Sequence, residues 1–264
     1  MRMKIGIIGG GNLGSSLVRG FLRSGLFQAE NIIVSDTDRQ KIKELAKLYV
    51  DITPDNKRLV KGCDVVFIAV KPDLVELVLK EVEDLSEGKL FISMAAGVSL
   101  KFIEARTKAR VIRVMPNICG SVVEMASSFS SGSRATKKDE KLVETLLGRL
   151  GTTFKVDEEL MSAVTGLSGS GPAFFYYLIK AVRDAGVGLG LPEEVALKLA
   201  AQTAKGASEI ALNSGENIDD LIRRVCTPKG TTIEGIKVLE AKKVADAVRS
   251  AVKAAAKRAK ELSR

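Results

Sequence analysis

Residues 3–14 read MKIGIIGGGNLG: a short apolar run at 3–8 breaks into glycines and gives way to the helical pattern NLGSSLVRGFLRSG. Gly9, Gly11 and Gly14 fall on the spacing G-x-G-x-x-G, with Asn12 and Leu13 between the last two. Alone, that spacing is weak. Here it follows a strand-like run and opens a helix, and Asp36 and Asp38 stand 22 and 24 residues beyond Gly14 at the end of a second strand-like run. That is the context a dinucleotide fingerprint requires. Gly9 allows the tight turn, Gly11 lets the backbone approach a pyrophosphate, and Gly14 lets helix and strand pack closely, so that the helix N-terminus faces the phosphates.

Outward from this stretch, strand-like and helical runs alternate. NIIVSD, DRQKIKELAKLY, DVVFIAV, LVELVLKEV, KLFISMA, SLKFIEA and ARVIRVM follow in order, and VVEMASSFSS, KLVETLLGRL and TTFKV close the series. Apolar strands alternating with helices predict an α/β fold, a doubly wound parallel sheet of Rossmann type. Beyond residue 160 the β-branched runs disappear and helical periodicity takes over. The chain therefore divides into a dinucleotide-binding domain at 1–160 and an all-α domain at 161–264.

Composition narrows the chemistry. At 264 residues, 45% hydrophobic and 28% charged, the chain has the balance of a soluble globular protein of about two domains. The N-terminal apolar run is broken by glycines and lacks a cleavage site, and no stretch is apolar enough to span a membrane, so a cytoplasmic location is expected. Cys63, Cys119 and Cys226 have no CxxC spacing, and no metal site is expected. With no histidine anywhere, Ser-His-Asp and Cys-His mechanisms are excluded. Six of the nine net positive charges lie in the last 24 residues. A basic face on a terminal helix suits the helix dipole and is read as solvated; nucleic-acid binding through it is the competing reading, which the low aromatic content disfavours.

The choice of nicotinamide cofactor stays open in VSDTDRQK: Asp36 could accept from ribose hydroxyls and favour NAD, whereas Ser35, Thr37 and Arg39 could receive the extra phosphate of NADP. The turns Ala69-Val70-Lys71-Pro72 and Met115-Pro116-Asn117 each end a strand. Ligands in open α/β sheets sit beyond the carboxyl ends of strands, so both turns should border the cofactor. Pro72 equally suits the first turn of a helix, and Lys71 and Asn117 are open between function and ordinary exposure.

In the second half, GLSGSGPAFF at 166–175 reads as a glycine loop running into a helix with Pro172 at its start. It is either an anion-accepting helix N-terminus or a place where two helices cross closely. A nucleophile elbow is excluded, since Ser168 stands where glycine is needed and no histidine exists. Tyr176 and Tyr177 lie in an apolar aromatic run and are expected in the core, and Cys226 reads as a small buried residue. Between two further helices lies CTPKGTTIEG (226–235), where Pro and Gly break what could have been one helix. Either it is an ordinary corner with Thr as N-cap, or it presents helix N–H groups and Thr hydroxyls to a small carboxylate.

GLSGSGPAF, the segment from DAGVGLGLP to AAQTAKGA (184–207) and CTPKGTTIEGIKVLE (226–240), in this order behind IGIIGGGNLG, resemble the pyrroline-5-carboxylate reductase family over nearly the whole chain. The resemblance implies a Rossmann domain, a helical domain that forms a homodimer with higher assembly left open, and NADP(H) or NAD(H) as cofactor. It also implies reduction of pyrroline-5-carboxylate to proline, the last step of proline biosynthesis. By position, Thr227, Gly230, Thr231 and Thr232 become the substrate loop, with Thr232 nearest the imine, and AVKP and MPN the cofactor-side turns.

Two departures stand out. The family loop S-P-G-G-T-T is here T-P-K-G-T-T, which puts Lys229 in the substrate site as a carboxylate partner or an obstruction, and Ile118-Cys119 replaces the usual Thr-Pro after MPN. A reductase of another small imino or keto acid and a non-catalytic dinucleotide-binding regulator are the alternative readings.

Overall fold

The computed structural model describes residues 3–263, so Met1, Arg2 and Arg264, the outer ends of the two expected domains, lie outside the described residues. The elements run β1 (Ile5–Ile8), α1 (Asn12–Arg23), β2 (Ile32–Ser35), α2 (Arg39–Ala46), β3 (Asp51–Thr53), α3 (Asn56–Gly62), β4 (Val65–Ile68) and α4 (Val75–Val82). There follow β5 (Leu90–Ser93), α5 (Leu100–Glu104), β6 (Arg110–Met115), β7 (Met125–Ser131), α6 (Lys137–Gly148) and β8 (Gly151–Lys155). The rest is helical: α7 (Met161–Val164), α8 (Gly171–Gly188), α9 (Glu193–Asn213), α10 (Ile218–Val225), α11 (Thr231–Ala241) and α12 (Val244–Glu261).

The strands form one eight-stranded sheet in the order β3-β2-β1-β4-β5-β6-β7-β8. Neighbours from β3 to β6 are parallel, with Ile7 opposite Val34 on one side and Phe67 on the other. The strands read as continuous apolar runs because both faces are covered. Ile7, Val34, Phe67, Ile92 and Ile112 pack with α1 and α6 on one face, while Val66, Ile68, Phe91 and Val111 pack with α3, α4 and α5 on the other. Under α1, Phe21 meets Phe27 edge-on at 5.4 Å between ring centroids.

The sheet is not parallel throughout. β7 pairs antiparallel with β6 and parallel with β8. Only a 3-10 turn, Ile118–Val122, separates β6 from β7, too short for the crossover that a parallel neighbour needs. The segment between β7 and β8 holds the full helix α6, and those two strands run the same way. β3 and α3 are absent from the alternation read in the sequence. β3 has three residues, of which Thr53 alone is buried, so it carries no periodic signal.

By compactness the chain separates into Met1–Pro172 with Lys253–Arg264, which contains the sheet, and Ala173–Val252, which is helical. The first unit has the two cores described above. In the second, among the described residues, the buried apolar side chains are Ala196 and Ala200. Its other apolar residues are half-buried or exposed: Phe175, Tyr176 and Tyr177 are 61%, 58% and 72% exposed. This corrects the expectation that Tyr176 and Tyr177 are core within one chain. A helical unit of this length without a core of its own leaves its apolar stripes for another surface to cover.

GLSGSGPAFF is not a glycine loop. After α7 the backbone passes through a π-helical turn, Thr165–Gly169, bends once at Ser170 and continues as α8, with the Ser170 N–H donating to Thr165 O at 2.9 Å.

Candidate active site

Five helices begin on a side chain that accepts from their first turn: Asp38 for α2, Asp55 for α3, Ser99 for α5, Thr136 for α6 and Asn217 for α10. α1 and α11 do not. Each has a glycine at the N-cap, Gly11 and Gly230, and no side chain turned back onto its amides. The opening N–H groups of a helix have no partner within it, so these two ends are free to receive an anion.

At α1 the glycines have separate reasons. Gly9 sits at φ +105°, and a Cβ there would lie 2.8 Å from the Ala69 carbonyl. A Cβ on Gly14 would collide with the Gly9 carbonyl oxygen. A Cβ on Gly11 would meet nothing within 4 Å. Packing thus demands Gly9 and Gly14 but not Gly11, whose bare backbone faces open space as a pyrophosphate cradle requires. The Ala69 N–H donates to Ile8 O at 2.8 Å, so Ala69-Val70 passes directly beside the glycine turn. Lys71 is exposed, and Pro72 begins the 3-10 turn Pro72–Leu74.

The acidic and hydroxyl residues after β2 are placed less simply. Asp36 accepts the Gly10 N–H through Oδ2 and the Asp38 N–H through Oδ1, both at 2.8 Å, and lies 3.8 Å from the Lys41 ammonium. Ser35 is 1% exposed, its hydroxyl donating to Asn56 Oδ1 at 2.6 Å. It faces inward, with its hydroxyl already engaged. A hollow of about 340 Å³ beside the glycine turn is lined by Gly10, Gly11, Asn12, Ser15, Arg19 and Lys41, among others. Arg39, exposed at the start of α2, is not among its lining residues. Arg19 was missed by the sequence reading, though Asn12, Ser15 and Arg19 share one face of α1 by their i, i+3, i+7 spacing.

Asn117 is 7% exposed and has both ends of its amide engaged. Oδ1 accepts the Cys119 N–H at 3.1 Å and Nδ2 donates to Ser168 O at 3.2 Å. The Ile118-Cys119 departure lies in the 3-10 turn packed on α1, where the Ser16 hydroxyl donates to Ile118 O at 2.9 Å. Burial, and then the nearby Glu124 charge, push the Cys119 thiol above its ordinary pKa, and burial pushes Cys63 up to about 11. Neither is a poised nucleophile.

At α11, the Gly230 N–H donates to Thr227 O at 3.0 Å, closing a turn over Thr227-Pro228-Lys229-Gly230 with Lys229 at φ +59°. A Cβ on Gly230 would collide with the Thr227 hydroxyl, which explains the glycine. Lys229 occupies a left-handed position that suits glycine far better. Thr232 and the half-buried Cys226 line an apolar hollow of about 470 Å³ with Ile218, Leu221, Ile222 and Ile236.

The profile described as pyrroline-5-carboxylate reductase dimerisation matches residues 158–262, and that described as NADP oxidoreductase coenzyme F420-dependent matches residues 4–97. A pyrroline-5-carboxylate reductase of Methanosarcina acetivorans is 42% identical, over 99% of this chain and 98% of its own.

The chain belongs to the pyrroline-5-carboxylate reductase family.

Solved members of the family agree with the fold. The pyrroline carboxylate reductase of Plasmodium falciparum, crystallised with NADP bound, superposes with a TM-score of 0.91 at 28% identity, covering 100% of this chain and 99% of its own. That of Coxiella burnetii has a TM-score of 0.90 at 33% identity over the full length of both chains. The family's dimerisation region includes α8 to α11, many of whose large apolar side chains, Phe175, Tyr177 and Leu199 among them, are exposed in the single chain. No described helix is long and apolar enough to cross a membrane.

Proposed function

We propose that the chain reduces the C=N bond of 1-pyrroline-5-carboxylate to L-proline with NADPH or NADH. This is the last step of proline biosynthesis, carried out by a cytoplasmic homodimer joined through its helical part. Residues 1–160 serve as the dinucleotide-binding part and 161–264 as the substrate and dimerisation part. The observation that carries the reading is the pair of glycine-capped helix starts. One, at Gly11, stands in a dinucleotide fingerprint; the other, at Gly230, stands in the family's substrate loop.

Gly9, Gly11 and Gly14 shape the cradle, and the first amides of α1 with Asn12 and Leu13 receive the pyrophosphate. Ala69-Val70-Lys71-Pro72, beside the glycine turn, borders the bound dinucleotide, which supplies the hydride. In the substrate loop the amides of Thr231 and Thr232 hold the ring carboxylate, Lys229 adds a positive charge, and the Thr227 and Thr232 hydroxyls orient the ring, Thr232 toward the imine nitrogen. A cyclic imine that arrives protonated is already electrophilic, so anchoring and orientation suffice. The absence of histidine is then no handicap.

Thr232→Val tests the assignment. It removes one hydroxyl at nearly constant volume and should lower kcat/KM for pyrroline-5-carboxylate by about tenfold or more, with dinucleotide affinity unchanged. Unaltered kinetics would remove Thr232 from the site.

A further inference from the structure

We infer that Asn117 is a positioning residue that supplies to Ser168 the hydrogen bond Pro172 lacks, and so fixes the Thr165–Gly169 turn against the end of β6. This rests on the reductase reading of the site. Thr165–Gly169 is π-helical, and where the path returns to α-helix the α-type donor to the Ser168 carbonyl would be the N–H of residue 172. That residue is Pro172, which has none. The Asn117 Nδ2 donates to this carbonyl instead, at 3.2 Å.

The amide is itself held in place. Its Oδ1 takes the Cys119 N–H, and the side chain is buried, so the donor has one orientation to offer. The turn also lies close against the strand: a Cβ on Gly169 would stand 3.3 Å from Met115 Sδ, at the last residue of β6. At the far end of the same segment, Glu158 accepts from Arg113 Nη1 of β6 at 2.9 Å and from the Leu100 N–H at 2.7 Å. β6, through Arg113, and the turn that follows it, through Asn117, therefore hold the connection from β8 to α8 at both ends. The Asn117 end is at the carboxyl edge of the parallel strands, where a dinucleotide's reactive half lies in an open α/β sheet.

The test is a cycle of Asn117→Asp, which keeps an acceptor for Cys119 and loses the donor, with Pro172→Ala, which gives residue 172 an N–H. With Pro172 present, Asn117→Asp should lower kcat by about ten- to a hundredfold, as expected for a misplaced wall of the site. The dissociation constant of NADPH, followed by fluorescence, should stay within about twofold, because only the position of the turn has changed. With Pro172→Ala, the same substitution should cost at least about threefold less in kcat, since the backbone now supplies the donor. Equal losses in both backgrounds would overturn the inference. So would an NADPH dissociation constant that rises in step with the loss of kcat, which would make Asn117 a direct cofactor contact.

Failure of the reductase reading would show separately, as a wild-type chain that does not turn over pyrroline-5-carboxylate. The cycle is then read on the unfolding midpoint alone, where Asn117→Asp should again cost less in the Pro172→Ala chain and where equal shifts again overturn it. Asn117→Ser replaces Asn117→Asp in every arm if the aspartate variant does not fold.

Discussion

Asp36 and Gly10 are tied directly, the Asp36 carboxylate accepting the Gly10 N–H at 2.8 Å while its other oxygen accepts the Asp38 N–H. The acid at the end of β2 thus braces the glycine turn. Asp36→Ala should lower stability by about 1–3 kcal/mol and weaken binding of NADH and NADPH alike, because it leaves a turn amide without its acceptor. Asp36→Asn keeps one acceptor oxygen and should lose less. Urea unfolding and dinucleotide titration read both effects; a change confined to NADH would instead make Asp36 chiefly a ribose ligand.

The hollow beside that turn carries Arg19 and Lys41. If it receives the extra phosphate of NADPH, the double substitution Arg19→Ala with Lys41→Ala should raise KM for NADPH by about tenfold or more and leave KM for NADH within about twofold. Arg39→Ala, outside the lining of the hollow, should do neither. Steady-state kinetics with each cofactor separates the outcomes.

Lys229 holds a backbone conformation that costs a side-chain-bearing residue about 1–2 kcal/mol relative to glycine. Lys229→Gly should therefore leave stability unchanged or raise it by up to about 1 kcal/mol, the gain being offset by the freedom glycine adds to the unfolded chain. It should at the same time raise KM for the substrate carboxylate severalfold. A variant that is both more stable and an equal or better enzyme would show that the ammonium group has no part in binding.

Away from the site, Glu140 gives a pH test. Hydrogen bonds from Lys155 and Lys137, and a smaller one from Ser131, pull its carboxyl from an ordinary 4.5 down to about 2. A carboxyl whose pKa is lower in the folded chain stabilises it fully above the unfolded value, and the contribution is lost as pH falls from about 4.5 to about 2. Glu140→Gln should therefore be less stable than wild type at pH 7, with the difference in melting temperature shrinking through that acid window. A difference independent of pH would refute the assignment.

Much of this was legible in the sequence because burial on both sheet faces writes itself as apolar runs, and because Gly14 is dictated by the Gly9 carbonyl close by in the chain, whereas the backbone that crowds Gly9, at Ala69, is distant. The helix starts at Asn12 and Thr231 are likewise local matters of glycine and spacing. What sequence could not give was long-range. The inward turn of Ser35 depends on Asn56, the brace at Asp36 on Gly10, and the burial of Asn117 on Ser168, all partners that lie far away in the chain. The aromatic run at 174–177 looked like core because apolarity is local, whereas burial depends on what packs against it, and in the single chain Phe175, Tyr176 and Tyr177 are exposed. β3 and the reversal at β7 were hidden for want of a periodic signal in three residues and because strand direction follows from connection length.

The most direct measurement incubates the purified chain with NADPH or NADH and pyrroline-5-carboxylate and quantifies cofactor oxidation and L-proline in the same reaction. One proline formed per cofactor oxidised, with Thr232→Val depressed in both, is the predicted result. Cofactor binding without proline formation, or faster oxidation with a different imino or keto acid than with pyrroline-5-carboxylate, would contradict it.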